Sequence, residues 1–191
     1  MDLEKLDIEG AWHAKSEIHE DNRGSFREWF RKDLILQKTG IEFSAAQANI
    51  SHSSKGALRG IHYSLIPNGQ AKWITCVSGK VFDVIIDIRP ESQTFMEWIS
   101  IELSPELGNS LLLSGQLGHA FMALEDNTSI TYMLDSTYSV DFEHTINPFD
   151  SDIGIKWPLS HTIISSRDQN APSIFENMKQ GLLPIMQKNI L

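Results

Sequence analysis

Arg59, Gly60, Ile61, His62 and Tyr63 form one contiguous run, and Lys72, His119, Tyr132 and Asp168 follow it along the chain. Together these residue types can take a proton from a carbon next to a ketone and return one from the other side. Histidine serves as a base near neutral pH, a lysine ammonium holds the developing enolate, and a tyrosine hydroxyl donates the returning proton. The set reads as an epimerase. On its own, each residue has a blander use: a strand histidine is more often packed or at the surface, a strand lysine is usually solvated, and a strand tyrosine often fills a core. The elements that carry them therefore decide the matter.

Short runs rich in β-branched and aromatic residues recur from about residue 11 to 134, separated by Gly, Asn, Asp and Ser. The clearest predicted strands are Ala45 to Ser51, Leu58 to Leu65, Lys72 to Val77, Lys80 to Ile88, Thr94 to Leu103, Ser110 to Leu113, His119 to Leu124 and Thr128 to Leu134. Ser78-Gly79 between two of them is a hairpin signal. Helix is expected over Lys32 to Thr39, stopping at Gly40, and in the tail from Pro172 to Leu191. Many strands without βαβ alternation give an all-β sandwich or barrel, a jelly roll at this size. A single domain over 1–191 is expected, with its core at about 8–172 and a helical tail at 173–191.

The 191 residues carry 25 acidic against 16 basic side chains, a formal charge of -9. That excess argues against non-specific binding to nucleic acid or to an anionic membrane, both of which reward Lys and Arg. The single Cys76 cannot form an internal disulfide, and its apolar neighbours favour an inert thiol. The acidic N-terminus lacks an apolar signal core and no segment approaches a membrane span, so the expected compartment is the cytoplasm.

Several ordered stretches bring a resemblance into view: Asp21 to Phe30, Gln47 to Ser51, Leu58 to Tyr63, Lys80 to Arg89, Gly118 to Phe121, Tyr132 with Tyr138, Gly154 to Pro158 and Ser165 to Asp168. In these, from about residue 8 to residue 172, the chain resembles the dTDP-4-dehydrorhamnose 3,5-epimerase family. The resemblance implies a cupin-type jelly roll acting as a homodimer, without metal or organic cofactor, on a dTDP-linked 4-keto-6-deoxy sugar in deoxysugar and cell-surface polysaccharide biosynthesis.

The same resemblance implies the roles. His62 matches the general base and Asp168 its partner, a carboxylate that fixes the imidazole tautomer and stabilises the imidazolium. Tyr132 matches the acid on the opposite face, and Lys72 the cation beside the C4 oxygen. Arg59, Arg23 and Arg167 suit the diphosphate, since guanidinium forks bind phosphate bidentately. A surface ion pair is the plain alternative for each, and Arg23 has Asp21 and Glu28 close by in sequence. Glu28, Gln47, Asn49, Tyr138 and Glu143 match further substrate-contacting positions. Strict strand alternation would put Arg59 and His62 on opposite faces, and Gly60 could mark a bulge that re-aims one of them. Asp83 alternates with Val81 and Ile85 on an inward face; a buried aspartate needs a partner, which suggests a second pair with His119 lining the sugar pocket.

Some positions depart from the commoner pattern. Ser64 follows the histidine motif where glutamine is usual, Trp73 follows the lysine, Ser114-Gly115-Gln116 replaces a Pro-x-Gly turn, and Ala120 replaces glycine. The acid and base are untouched, while inversion at C3, C5 or both stays open. Two alternatives remain: a sugar-nucleotide ketoisomerase of the same fold, sharing the enolate, and a non-catalytic sugar-nucleotide-binding cupin. A metal-dependent cupin is disfavoured because Tyr63-Ser64 follows His62 where a His-x-His pair would be needed.

Overall fold

Alternation of Ile74 with Cys76, Val81 with Ile85 and Leu111 with Leu113 gives each strand one apolar face to bury, and two sheets close on those faces. A computed structural model describes residues 1–67 and 69–185. In chain order the strands are β1 (Asp2–Lys5), β2 (Ala11–Lys15), β3 (His19–Asp21), β4 (Gly24–Phe26), β5 (Gln47–Ser53), β6 (Ala57–Ser64), β7 (Lys72–Ser78), β8 (Val81–Asp87), β9 (Trp98–Leu103), β10 (Asn109–Leu113), β11 (Leu117–Ala123), β12 (Thr128–Leu134), β13 (Glu143–Thr145) and β14 (Ile163–Ile164). The helices are α1 (Lys32–Thr39), α2 (Ser166–Gln169) and α3 (Ile174–Lys179).

The first sheet runs β1-β2-β10-β7-β12-β5 and the second β13-β6-β11-β8-β9, with β14 parallel to β6. Ile74, Ile85, Leu111 and Ile130 belong to the core between them. Outside the first sheet, Ile35 of α1 packs with Phe43, Trp73 and Leu112. Outside the second, Ile174 and Leu183 cover Ile61, Tyr63 and Ile86. The result is the expected all-β cupin-type sandwich with short peripheral helices and a C-terminal helical region.

Helix α1 has the bounds that the sequence predicts, and it ends because Gly40 takes φ 75° and returns its N–H to Leu36 O. Three expectations need correcting. Ser78-Gly79 is no hairpin, since β7 and β8 lie in different sheets and Gly79, at φ 67°, turns a corner between them. The strand expected from Thr94 starts only at Trp98, because the Asp87 carboxylate captures the Ser92 and Thr94 hydroxyls and holds that stretch as a turn. The tail is helical only over Ile174–Lys179, opened by a Ser173–Glu176 capping box; residues 180–185 are not helical, and the expected helix over 186–191 lies outside the described residues. Strands β3 and β4 form a separate two-stranded ribbon.

Candidate active site

The site begins with an irregularity in β6. Strand β11 pairs His119 with His62 and Phe121 with Arg59, so β6 uses one more residue than β11 over the same span. Gly60 makes this bulge at φ 120°, where a Cβ would lie 2.5 Å from Ala120 Cβ and 2.7 Å from His119 O. Arg59 and His62 consequently line the same cavity, of about 250 Å³, despite a spacing that would separate them on a regular strand.

His62 Nε2 lies 2.8 Å from Asp168 Oδ1. Burial pushes the Asp168 carboxyl upward, but the His62 hydrogen bond and charge, with the Gly60 N–H, outweigh it and hold the group below its ordinary range. An ionised carboxylate only accepts, so Nε2 carries the proton and a neutral His62 keeps Nδ1 free to take another. Ser165 caps α2 by accepting from Asp168 N–H, which sets the carboxylate at the helix's first turn beneath β6. A second pair stands beside the first: His119 Nε2 is 2.9 Å from each oxygen of Asp83, and both residues are buried. Burial raises the Asp83 carboxyl, and His119 and Lys72 only partly offset that.

Across the cavity, β7 supplies Lys72 and β12 supplies Tyr132 from the first sheet. Lys72 is 9% exposed, and its Nζ is 3.5 Å from His62 O. Burial lowers its pKa, against the pull of Glu143 and Asp83. The Tyr132 phenol is raised by burial, with Asn49 beside it pulling the other way. A histidine on one sheet, facing a tyrosine and a buried lysine on the other, has the groups needed to enolise a ketone and deliver a proton to either face.

Asn49, Arg59, His119, Tyr138, Glu143 and Arg167 also line this cavity. Gln47 sits behind them, donating to Asn49 Oδ1 at 3.0 Å and accepting from Tyr138 N at 2.8 Å. Arg23 and Glu28 do not reach it within one chain: Arg23 is on the exposed ribbon paired with Asp21, and Glu28 lies beside Arg31. The chain bends away from β12 after Leu134, so Tyr138 stands on a loop rather than on the strand of Tyr132. Sequence reasoning missed Gln70 and Ser51. Both carried a signal, since Gln70 precedes Lys72 by two and Ser51 continues the alternation of Gln47 and Asn49. Ser51 Oγ and Glu143 Oε1 are buried side-chain atoms with no hydrogen-bond partner. Cys76 is buried in the core, its thiol pushed up to about 11 by burial. Among the described residues no three His, Cys, Asp or Glu side chains cluster as metal ligands, and no helix is long and apolar enough to cross a membrane.

Residues 5–176 match the family model described as dTDP-4-dehydrorhamnose 3,5-epimerase. The chain is 43% identical over 186 residues to a dTDP-4-dehydro-6-deoxyglucose 3-epimerase of a Streptomyces species, covering 97% of this chain and 95% of that one. It is 42% identical to a dTDP-4-dehydrorhamnose 3,5-epimerase of Mycolicibacterium smegmatis, covering 96% and 91%. Among solved structures, an epimerase of Mycobacterium tuberculosis superposes with a TM-score of 0.94 at 40% identity, over 97% of this chain and 94% of that one. A 3'-monoepimerase of Streptomyces bikiniensis in complex with dTDP-quinovose gives 0.91 at 43%, over 94% and 91%. Single- and double-centre epimerases are thus equally near in sequence.

Proposed function

The chain belongs to the dTDP-4-dehydrorhamnose 3,5-epimerase family, and from that premise we propose that it is a cofactor-independent epimerase of a dTDP-linked 4-keto-6-deoxyhexose in deoxysugar biosynthesis. The observation that carries this reading is the placement of His62 and Tyr132 on opposite sheets, facing one cavity that Lys72 also lines.

In this reading His62 Nδ1 takes the proton from the carbon next to the C4 ketone, and the electron pair of that C–H bond becomes the enolate. Lys72 holds the enolate oxygen by a charge-assisted hydrogen bond, worth most where burial has removed competing water. Asp168 stabilises the imidazolium formed. Tyr132 gives its proton to the opposite face of the same carbon, the C–H bond re-forms inverted, and solvent resets both groups. His119, held by Asp83, lines the same cavity beside Lys72. Arg59 and Arg167, both exposed, suit the diphosphate.

The protein acts as a homodimer in the cytoplasm. The β3–β4 ribbon carries Arg23 and an exposed Phe26, and a second copy gives Arg23 and Glu28 a pocket to complete. Sedimentation at micromolar concentration should give the mass of a dimer; a monomer with full activity would remove this part of the reading.

The reaction is tested by proton NMR of dTDP-4-keto-6-deoxyglucose with the protein in deuterated water. Deuterium entering C3, C5 or both, with inversion, is the expected outcome and names the centre. Migration of the carbonyl would point instead to a ketoisomerase, and tight dTDP binding with no exchange to a binding protein.

A further inference from the structure

Gln70 is 4% exposed and lines the cavity beside Lys72, yet none of the roles above uses it. Its backbone N–H bonds Gly115 O at 3.4 Å, and its side-chain Nε2 donates to Ser136 O at 3.3 Å. The adjoining Ala71 N–H is held by Asp135 Oδ1 at 2.9 Å, and Asp135 N–H returns to Ala71 O at 3.2 Å. Main chain and carboxamide are thus both held. Because only nitrogen can donate to the Ser136 carbonyl, the orientation of the amide is determined and Oε1 is the atom left over. No described residue donates to that oxygen, and it is not among the sealed, unpartnered atoms of the protein.

The cavity lining is of two chemical kinds. Arg59 and Arg167 are exposed cations, matched to an anionic group, whereas Gln70, Lys72 and His119 are all buried. A neutral acceptor among the buried groups does not suit a phosphate or a carbonyl, both of which are acceptors themselves. It suits a hydroxyl. We propose that Gln70 Oε1 accepts a hydrogen bond from a ring hydroxyl of the hexose, at C2 or C3, and that Gln70 is thereby a substrate-positioning residue that favours hydroxylated over deoxygenated sugars. This rests on the epimerase reading of the site.

The test compares the wild-type protein and a Gln70→Leu variant on dTDP-4-keto-6-deoxyglucose and on its 2-deoxy and 3-deoxy analogues, following deuterium exchange and kcat/KM. The variant should lose about tenfold in kcat/KM on the hydroxylated sugar, the worth of one buried neutral hydrogen bond. On the analogue that lacks the accepted hydroxyl, the two proteins should be equal, and calorimetric binding of dTDP alone should be unchanged. An equal loss on all three sugars would make Gln70 a support of the Asp135–Tyr138 loop, and no loss on any would make it a bystander; either result overturns the proposal. Failure of the wild-type protein to exchange at any carbon would instead remove the epimerase reading, which this comparison detects separately.

Discussion

His62 and Tyr132 face one cavity from opposite sheets, His62 on β6 and Tyr132 on β12. That separation matters more than either residue's identity, because inversion requires the proton to leave on one side and return on the other. The sandwich supplies it at no added cost in chain geometry, since inward-facing residues of two sheets oppose each other by construction.

Among the described residues no side-chain carboxylate is hydrogen-bonded to the buried Lys72, and burial lowers its pKa. A lysine pKa lowered by folding means that the unfolded chain binds the proton more tightly, so charged Lys72 costs stability at neutral pH. Lys72→Met should therefore keep or raise Tm at pH 7 while kcat falls by roughly 10²- to 10³-fold. Thermal denaturation beside steady-state kinetics checks both halves.

Asp168→Asn should lower kcat by roughly 10²-fold or more, because the amide no longer fixes the His62 tautomer or stabilises its cation. The Asp168 pKa is lowered on folding, so its contribution to stability is present above the ordinary value of 3.8 and is lost as pH falls through the depressed value. The gap in stability between wild type and variant should accordingly be widest near neutral pH and close in acid, as read from urea titrations across that range.

Gly60→Ala should abolish the bulge. The new Cβ meets Ala120 Cβ at 2.5 Å and His119 O at 2.7 Å, on a backbone at φ 120°. A cost of about 3 kcal/mol or more is expected, seen as a large fall in soluble yield or in the urea midpoint.

Tyr63 points away from His62 into the outer layer, where its hydroxyl lies 2.9 Å from Leu182 O and 3.2 Å from Asn177 Oδ1. It fastens the C-terminal segment that follows Asp168 to the strand of the base. Tyr63→Phe should cost about 1 kcal/mol, or roughly 2–4 °C in Tm, measured by calorimetry.

Much of this arrangement was legible in the chain. Asp83 could be paired with His119 because its alternation with Val81 and Ile85 put a carboxylate in the core, where it needs a partner. Gly60 could be suspected as a bulge because Arg59 and His62 had to share a face. What stayed hidden depends on long-range geometry. The inter-sheet corner at Gly79 uses the same residue type as a hairpin, and the Thr94 turn is held by Asp87, seven residues back in the chain. Nothing local to Arg23 or Glu28 says whether a second copy must bring them to a pocket. Gln70 gives no local signal of a cavity position beyond its spacing from Lys72, because a glutamine at a loop end is ordinarily solvated.

Two-sided proton transfer requires that exchange and inversion can be separated by removing one side at a time. His62→Ala and Tyr132→Phe are each incubated with dTDP-4-keto-6-deoxyglucose in deuterated water, with proton NMR following both label and configuration. His62→Ala should neither exchange nor invert, while Tyr132→Phe should still take up deuterium, returned by His62 to the face it came from, with inversion lost. Inversion by Tyr132→Phe at the wild-type rate, or exchange by His62→Ala at the wild-type rate, would contradict it.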